Sequence, residues 1–223
     1  MELNQKESFC PTCLRSIRTI HSPLCACCGL PFHTPTGPDH LCYKCQTQPP
    51  TFHQARAWAF YQTSDSTPQP LGNAIQHFKY NRRLHAGKML AKLGAVQNPF
   101  MEQTYDLIIP VPLHIKRLRW RGFNQSLLLA QAIGHDKQIP VDPFLLKRVR
   151  PTVPQIELNE KERKNNVRGA FAVSAPEHLQ GASVLLIDDV YTSGATVNEC
   201  ARVLRRNGAI VVDVFTLARA VPH

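Results

Sequence analysis

The chain has 223 residues, a formal charge of +10, 43% hydrophobic and 19% charged residues. That apolar share is too high and the charge too sparse for a disordered polyelectrolyte, and no apolar run approaches the roughly 18 residues of a membrane-spanning helix. A globular protein is left, with room for one good-sized core and a small appendage, or for two modest domains.

Seven of the eight cysteines fall between Cys10 and Cys45, and six of them form three C-x-x-C pairs: Cys10/Cys13, Cys25/Cys28 and Cys42/Cys45. Met1-Glu2-Leu3-Asn4-Gln5-Lys6-Glu7 offers neither a basic start nor an apolar signal core. The expected compartment is therefore the reducing cytoplasm, where such pairs serve metal rather than disulfides. Each pair supplies two thiolates from one tight turn, and two turns complete a tetrahedron around zinc. A redox dithiol sits alone between a strand and a helix, which three pairs in a Pro-rich stretch do not match. Six thiolates leave two over after one site, and His21, His33 and His40 are near enough in sequence to complete a second, so one and two zincs are both open. A closed four-thiolate site keeps no position for substrate, so its expected role is structural.

Gln48-Pro49-Pro50 breaks local structure and sets a predicted boundary near residue 50. Alternation then predicts a strand over 55–61, and helical spacing predicts helices over 71–78 and 84–93. A short apolar run closed by prolines predicts a buried strand over 106–112, followed by a Leu- and Ala-rich helix over 124–133. Residues 136–156 read as irregular apart from a strand near 144–147. Asn159 and Glu162 open a short helix as a capping box. A βαβ unit follows: strand 183–187, a loop, a helix to about Asn207 and strand 210–217. Gly208 supplies the left-handed stop, and Val197, Cys200, Ala201 and Leu204 form the buried stripe. Strands alternating with helices imply a mainly parallel sheet covered on both faces, with ligands beyond the carboxyl ends, at 188–196 and 110–124.

The loop of that unit carries the chemistry. Thr192-Ser193-Gly194-Ala195-Thr196 lies where a helix begins, so unpaired N–H groups converge and the dipole favours an anion. The glycine permits close approach and three hydroxyls can donate to phosphate oxygens. Asp188 and Asp189 cannot bind that phosphate; they suit vicinal sugar hydroxyls or a magnesium shell. Together these residues outline a ribose 5-phosphate site, whereas ordinary capping uses only one or two of them. The positive charge is clustered in Lys116, Arg117, Arg119 and Arg121 with Trp120 and Phe123 interleaved, in Lys79, Arg82 and Arg83, and in Lys161, Arg163, Lys164 and Arg168. Such groups attract phosphorylated small molecules and nucleic acid alike.

The run from Val184 to Thr196 resembles the phosphoribosyl pyrophosphate (PRPP) motif of type I phosphoribosyltransferases. With Arg121-Gly122-Phe123-Asn124-Gln125-Ser126, Phe78-Lys79-Tyr80, the C-x-x-C-G-L-P of Cys25 to Pro31 and Asn166-Val167-Arg168-Gly169-Ala170-Phe171, nearly the whole chain is similar to the ComF/GntX family. The resemblance implies an α/β fold of the type I phosphoribosyltransferase kind at 51–223, preceded by a zinc-ribbon segment at 1–50. It implies that Asp188 and Asp189 hold ribose hydroxyls, that Thr192, Ser193, Gly194, Ala195 and Thr196 hold the 5-phosphate, and that magnesium accompanies PRPP. The loop near Val111 to Leu113 would face pyrophosphate, with Lys79, Lys116, Arg117, Arg119 and Arg121 supplying charge for pyrophosphate or DNA. Structural zinc would use Cys10, Cys13, Cys25, Cys28, Cys42 and Cys45; many relatives have four C-x-x-C pairs, so the pairing of these three stays open.

Some members of that family are needed for uptake of transforming DNA. The expected function is a competence protein that binds PRPP and magnesium and acts with single-stranded DNA and the uptake machinery. The alternatives are an active phosphoribosyltransferase of nucleotide or base metabolism, with PRPP as donor, and a sensor of PRPP without turnover. No acceptor site is legible. Phosphoribosyl transfer rests on positioning and charge stabilisation, so no single catalytic residue is expected.

Overall fold

The computed structural model of the chain describes residues 10–34, 36–62, 70–81, 84–100, 102–153 and 159–221. Its strands are β1 (Ala55–Phe60), β2 (Leu107–Pro110), β3 (Leu146–Arg148), β4 (Phe171–Val173), β5 (Ser183–Tyr191) and β6 (Val211–Arg219). Its helices are α1 (Pro11–Arg15), α2 (Tyr43–Thr47), α3 (Pro70–Asn81), α4 (Leu84–Val96), α5 (Ile115–Arg121), α6 (Gln125–Lys137), α7 (Glu160–Val167) and α8 (Ala195–Arg206).

Four strands form one sheet in the order β1-β6-β5-β2, every neighbouring pair parallel. The apolar run of β5 is continuous because both its faces are covered. Val184 and Leu186 pack on one face with Ile109, Val212 and Val214, under Val197, Cys200, Ala201 and Leu204 of α8. Leu185 and Ile187 pack on the other with Ile108, Phe215 and Leu217, under Leu90 and Ala91 of α4 and Leu129 and Ile133 of α6. Truncating a side chain as buried as Leu186 or Phe215 costs about 2–5 kcal/mol. The capping box at Asn159 and Glu162 is present, and Gly208 takes φ 113° after α8.

Four elements were not legible. α1 and α2 are five-residue helices within the cysteine-rich stretch. α5 lies in the basic run, and β4 is a three-residue strand whose partner β3 is antiparallel and distant in sequence. β3 and β4 make a small separate sheet.

The cysteine-rich segment docks on the edge of β1. Thr19 bridges Ala59 in antiparallel fashion, with Ile20 N donating to Trp58 O at 2.9 Å and Phe60 N to Arg18 O at 2.9 Å. Ala55 N donates to Cys27 O at 2.7 Å. Gly29, at φ 69°, lies so close that a Cβ there would sit 2.4 Å from Ala55 O. The segment borrows apolar cover from the sheet: Cys25, Cys28, Cys42 and Cys45 share one cluster with Phe52, Ala55 and Tyr191. Among the described residues no helix is long and apolar enough to cross a membrane.

Candidate functional site

At the carboxyl end of β5 the strand carries Asp188 and Asp189, and the chain turns through Thr192 and Ser193 into α8. The turn needs its glycine twice over. Gly194 has φ 77°, and a Cβ there would lie 2.2 Å from the Tyr191 hydroxyl, so the loop rests directly on that ring. Ser193 Oγ accepts from Ala195 N at 3.4 Å. A pocket of about 230 Å³, part of it open to solvent, is lined by Asp188, Val190, Tyr191, Thr192, Gly194, Ala195, Thr196 and Val197. The loop residues singled out in the sequence therefore gather at one helix N-terminus, whose N–H groups and dipole suit an anion.

The acid pair is held from two helices. Lys79 Nζ of α3 lies 2.9 Å from Asp189 Oδ2, and Gln125 Nε2 of α6 donates to the same oxygen at 3.3 Å. Ser126 Oγ donates to Asp188 Oδ1 at 3.0 Å, and the backbone N of Asp189 donates to it at 2.9 Å. Asn124 caps α6 by accepting from Ser126 N at 3.1 Å and donates to Val111 O at 3.0 Å. The N-Q-S string is thus a clamp on the acids and on the loop after β2. Burial and the neighbouring Asp189 charge push the Asp188 carboxyl up to about 7, against the Asp189 N–H, Lys79 and Ser126. Burial would pull the Lys79 ammonium down, but Asp189 outweighs it and lifts it above its ordinary value.

Arg148 of β3, not foreseen as a site residue, faces the same region. Burial and Arg117 hold its guanidinium below the usual range, while Cys200 and Asp188 act the other way. It stacks on Phe171, 5.3 Å from the ring centre, and donates to Thr152 Oγ1. Only its three-dimensional surroundings distinguish it from the other arginines.

The basic run divides by burial. On α5, Lys116 and Arg119 are exposed and Arg117 is half-buried, whereas Arg121 is buried. Trp120 is 54% exposed. Phe123 corrects the sequence reading that offered it for base stacking: it is buried and stacks on Phe78 with ring centres 4.6 Å apart. Its position, one residue before the α6 cap, turns it into the core that α3 covers. Arg82 and Arg83 lie outside the described residues.

Of the six paired cysteines, the structure brings four together. The sulfurs of Cys25, Cys28, Cys42 and Cys45 all lie within 4.8 Å of one another, and all four residues are buried. Backbone N–H groups of Cys28 and Cys42 point at Cys25 Sγ at 3.4 and 3.3 Å. Burial opposes ionisation of Cys25, yet those N–H groups outweigh it and bring the thiol down to about 7. Four sulfurs at this spacing with N–H donors to the thiolate fit tetrahedral zinc. Cys10 and Cys13 stand apart at the start of α1, where Cys13 N lies 3.3 Å from Cys10 Sγ.

Fold and sites together define a parallel α/β protein with a structural zinc ribbon and an anion-suited loop at the carboxyl end of its sheet. Residues 2–46 match the model of the double zinc ribbon domain. The chain is 37% identical over 219 residues to DNA utilization protein YhgH of Salmonella typhimurium, which covers 96% of this chain and 91% of that protein. It is 32% identical over 223 residues to competence protein F of Haemophilus influenzae, covering 96% and 92%. The chain belongs to this family, the ComF family of competence and DNA-utilization proteins. A solved glutamine PRPP amidotransferase from B. subtilis is similar over 58% of this chain and 25% of its own, at 22% identity and a TM-score of 0.40.

Proposed function

We propose that this protein is a ComF-type competence protein whose α/β domain, residues 51–223, binds PRPP with magnesium at the carboxyl end of β5. One observation carries the reading: a half-buried acid pair, clamped by Lys79, Gln125 and Ser126, stands beside a glycine loop at the N-terminus of α8. The backbone N–H groups and hydroxyls of Thr192, Ser193 and Thr196 take the 5-phosphate, with Gly194 and Ala195 lending close backbone approach. Asp188 and Asp189 accept from ribose hydroxyls. They are also the hard oxygen donors a magnesium ion takes, and magnesium would neutralise charge on the pyrophosphate. Lys116, Arg117 and Arg119 lie on the side of the loop after β2, with Arg121 acting from the interior. The proton that Asp188 holds near neutrality is the one a bound cation or hydroxyl donor displaces. Calorimetric titration with PRPP and magnesium tests this: heat for the wild type and none for Asp188→Asn with Asp189→Asn is the expected result. No heat for the wild type, or equal binding by the double variant, refutes it.

The second part of the reading is a role in uptake of transforming single-stranded DNA. Trp120, more than half exposed on the helix that carries Lys116, Arg117 and Arg119, supports it, because an aromatic face near cations suits stacked bases and their phosphates. The relatives' names, DNA utilization protein and competence protein F, point the same way. Binding of a labelled oligonucleotide should weaken steeply with salt and lose affinity when Arg117 and Arg119 become Ala. Undiminished binding by that variant removes this surface from the account. A phosphoribosyltransferase of nucleotide or base metabolism with no role in DNA uptake is the competing reading, and PRPP turnover in the absence of any oligonucleotide affinity would favour it.

A further inference from the structure

We propose that Arg219 is a positioning residue that couples the thiolate cluster to the phosphate loop, so that metal occupancy of the ribbon sets the loop's order and its affinity for the phosphate ligand. The affinity part rests on the PRPP reading above; the part concerning loop order does not.

Arg219 closes β6 and Tyr191 closes β5, and the two are register partners in the parallel sheet. The arginine side chain turns away from solvent and is 6% exposed. Its Nη1 donates to Cys28 O at 2.6 Å, and its Nη2 lies 3.8 Å from Cys28 Sγ. The guanidinium centre sits 4.2 Å over the Tyr191 ring. That ring is braced edge-on by Phe52, with centres 6.4 Å apart, and its hydroxyl is the surface on which Gly194 rests. The contacts form an unbroken chain from Cys28 through Arg219 and Tyr191 to the loop glycine.

A buried guanidinium requires compensating negative charge. Among the described residues no carboxylate pairs with Arg219. Cys28 answers the need, because one Zn²⁺ held by four thiolates leaves a net negative centre. Loss of the metal frees Cys28 from its three partners and so releases the carbonyl and sulfur that fix the guanidinium. The Tyr191 ring then loses the cation above it, and the loop loses its floor. Both hydrogen-bonding and stacking geometry favour arginine here, since lysine carries no planar fork.

The test uses the full chain loaded with zinc, and compares wild type with Arg219→Met, Arg219→Lys and Tyr191→Leu. Zinc content, amide hydrogen exchange over 191–197 and PRPP titration are read on each. The expected result for Arg219→Met is full zinc content, faster exchange over 191–197, and PRPP affinity lower by about tenfold, within the ordinary range of coupling between sites. Arg219→Lys should recover part of both effects. Chelating zinc from wild type should speed exchange in the same segment, and chelation should add little to Arg219→Met. Linkage further requires that saturating PRPP tighten zinc by the same factor by which bound zinc tightens PRPP.

Wild-type exchange over 191–197 in zinc-loaded Arg219→Met or Tyr191→Leu overturns the coupling, as does an equal response of wild type and Arg219→Met to chelation. Should Arg219→Met not fold, Arg219→Lys and Tyr191→Leu decide by the same readouts. No PRPP heat from wild type, with the exchange results as expected, refutes the PRPP reading and leaves the coupling standing. Loss of binding in the Asp188 and Asp189 variants, with normal binding and wild-type exchange in Arg219→Met, does the reverse.

Discussion

Two carboxylates near opposite ends of the parallel sheet are treated in opposite ways. Asp213, near the start of β6, is 2% exposed and accepts from His53 Nδ1 at 2.9 Å, Gln54 N at 3.1 Å, Gln54 Nε2 at 3.3 Å and the Tyr105 hydroxyl at 2.7 Å. Burial and Asp213 push the Tyr105 phenol up, so it stays a donor. Asp188, near the end of β5, is only half-buried, yet it receives one hydroxyl and one backbone N–H and faces Asp189. The deeper acid is saturated and joins the segments before β1 and before β2 to β6. The shallower acid is left needing charge and donors. Depth therefore does not mark the carboxylate proposed to meet a ligand; the deficit of partners does.

The largest effect expected from this contrast is on stability. Asp213→Ala should lower the unfolding free energy by about 3 kcal/mol or more, because several buried donors lose their acceptor. Urea melts measure it, and PRPP affinity of the folded variant should stay unchanged. The converse is expected of Asp188→Asn: PRPP affinity lower by about tenfold to a hundredfold, from one charged hydrogen bond of about 1.5–3 kcal/mol, with no loss of stability. A comparable loss of affinity in the Asp213 variant would break the contrast.

The pH dependence sharpens it. The folded Asp188 binds its proton more tightly than the unfolded chain does, with a carboxyl raised from 3.8 to about 7. Its protonated form thus adds stability that is complete below about 4 and lost as pH rises through 7. The groups that set this are Asp189 on the same strand, Lys79 from α3 and Ser126 from α6. Asp188→Asn should melt above wild type at pH 8 by about 2–4 °C for each kcal/mol of relief at this length, with the gap closing toward pH 4. A gap that widens on acidification contradicts the assignment. The smallest effect is expected of Ser126→Ala, which removes one donor to the ionised form and costs about 1 kcal/mol. It should move the midpoint of that pH dependence upward, as followed by the melting temperature across pH.

Much of the site was legible because its signals are local. The β5 run, the Asp188-Asp189 pair, the glycine turn and the stripe at 197, 200, 201 and 204 lie within one stretch and obey periods of two and 3.6 residues. The capping box of α7 spans four residues and needed nothing beyond them. What stayed hidden depends on distant partners. Gln125 and Ser126 reach acids 64 and 62 residues away. β4 exists only because β3 pairs with it. Phe123 reads as a stacking residue beside Trp120 until α3 places Phe78 against it.

The three C-x-x-C pairs mark the limit most clearly. Their spacing by itself determined that each offers two thiolates from a tight turn and that the segment suits metal, since those properties belong to a few consecutive residues. The pairs are chemically equivalent in the sequence, and only the tertiary structure decided that Cys25, Cys28, Cys42 and Cys45 close one site while Cys10 and Cys13 stand apart. The same division holds for the whole molecule. Strand, helix and glycine-loop identities follow from short-range pattern. Sheet order, the clamp on the acid pair and the seating of Arg219 between Cys28 and Tyr191 follow from burial, which brings together residues as far apart as 191 positions.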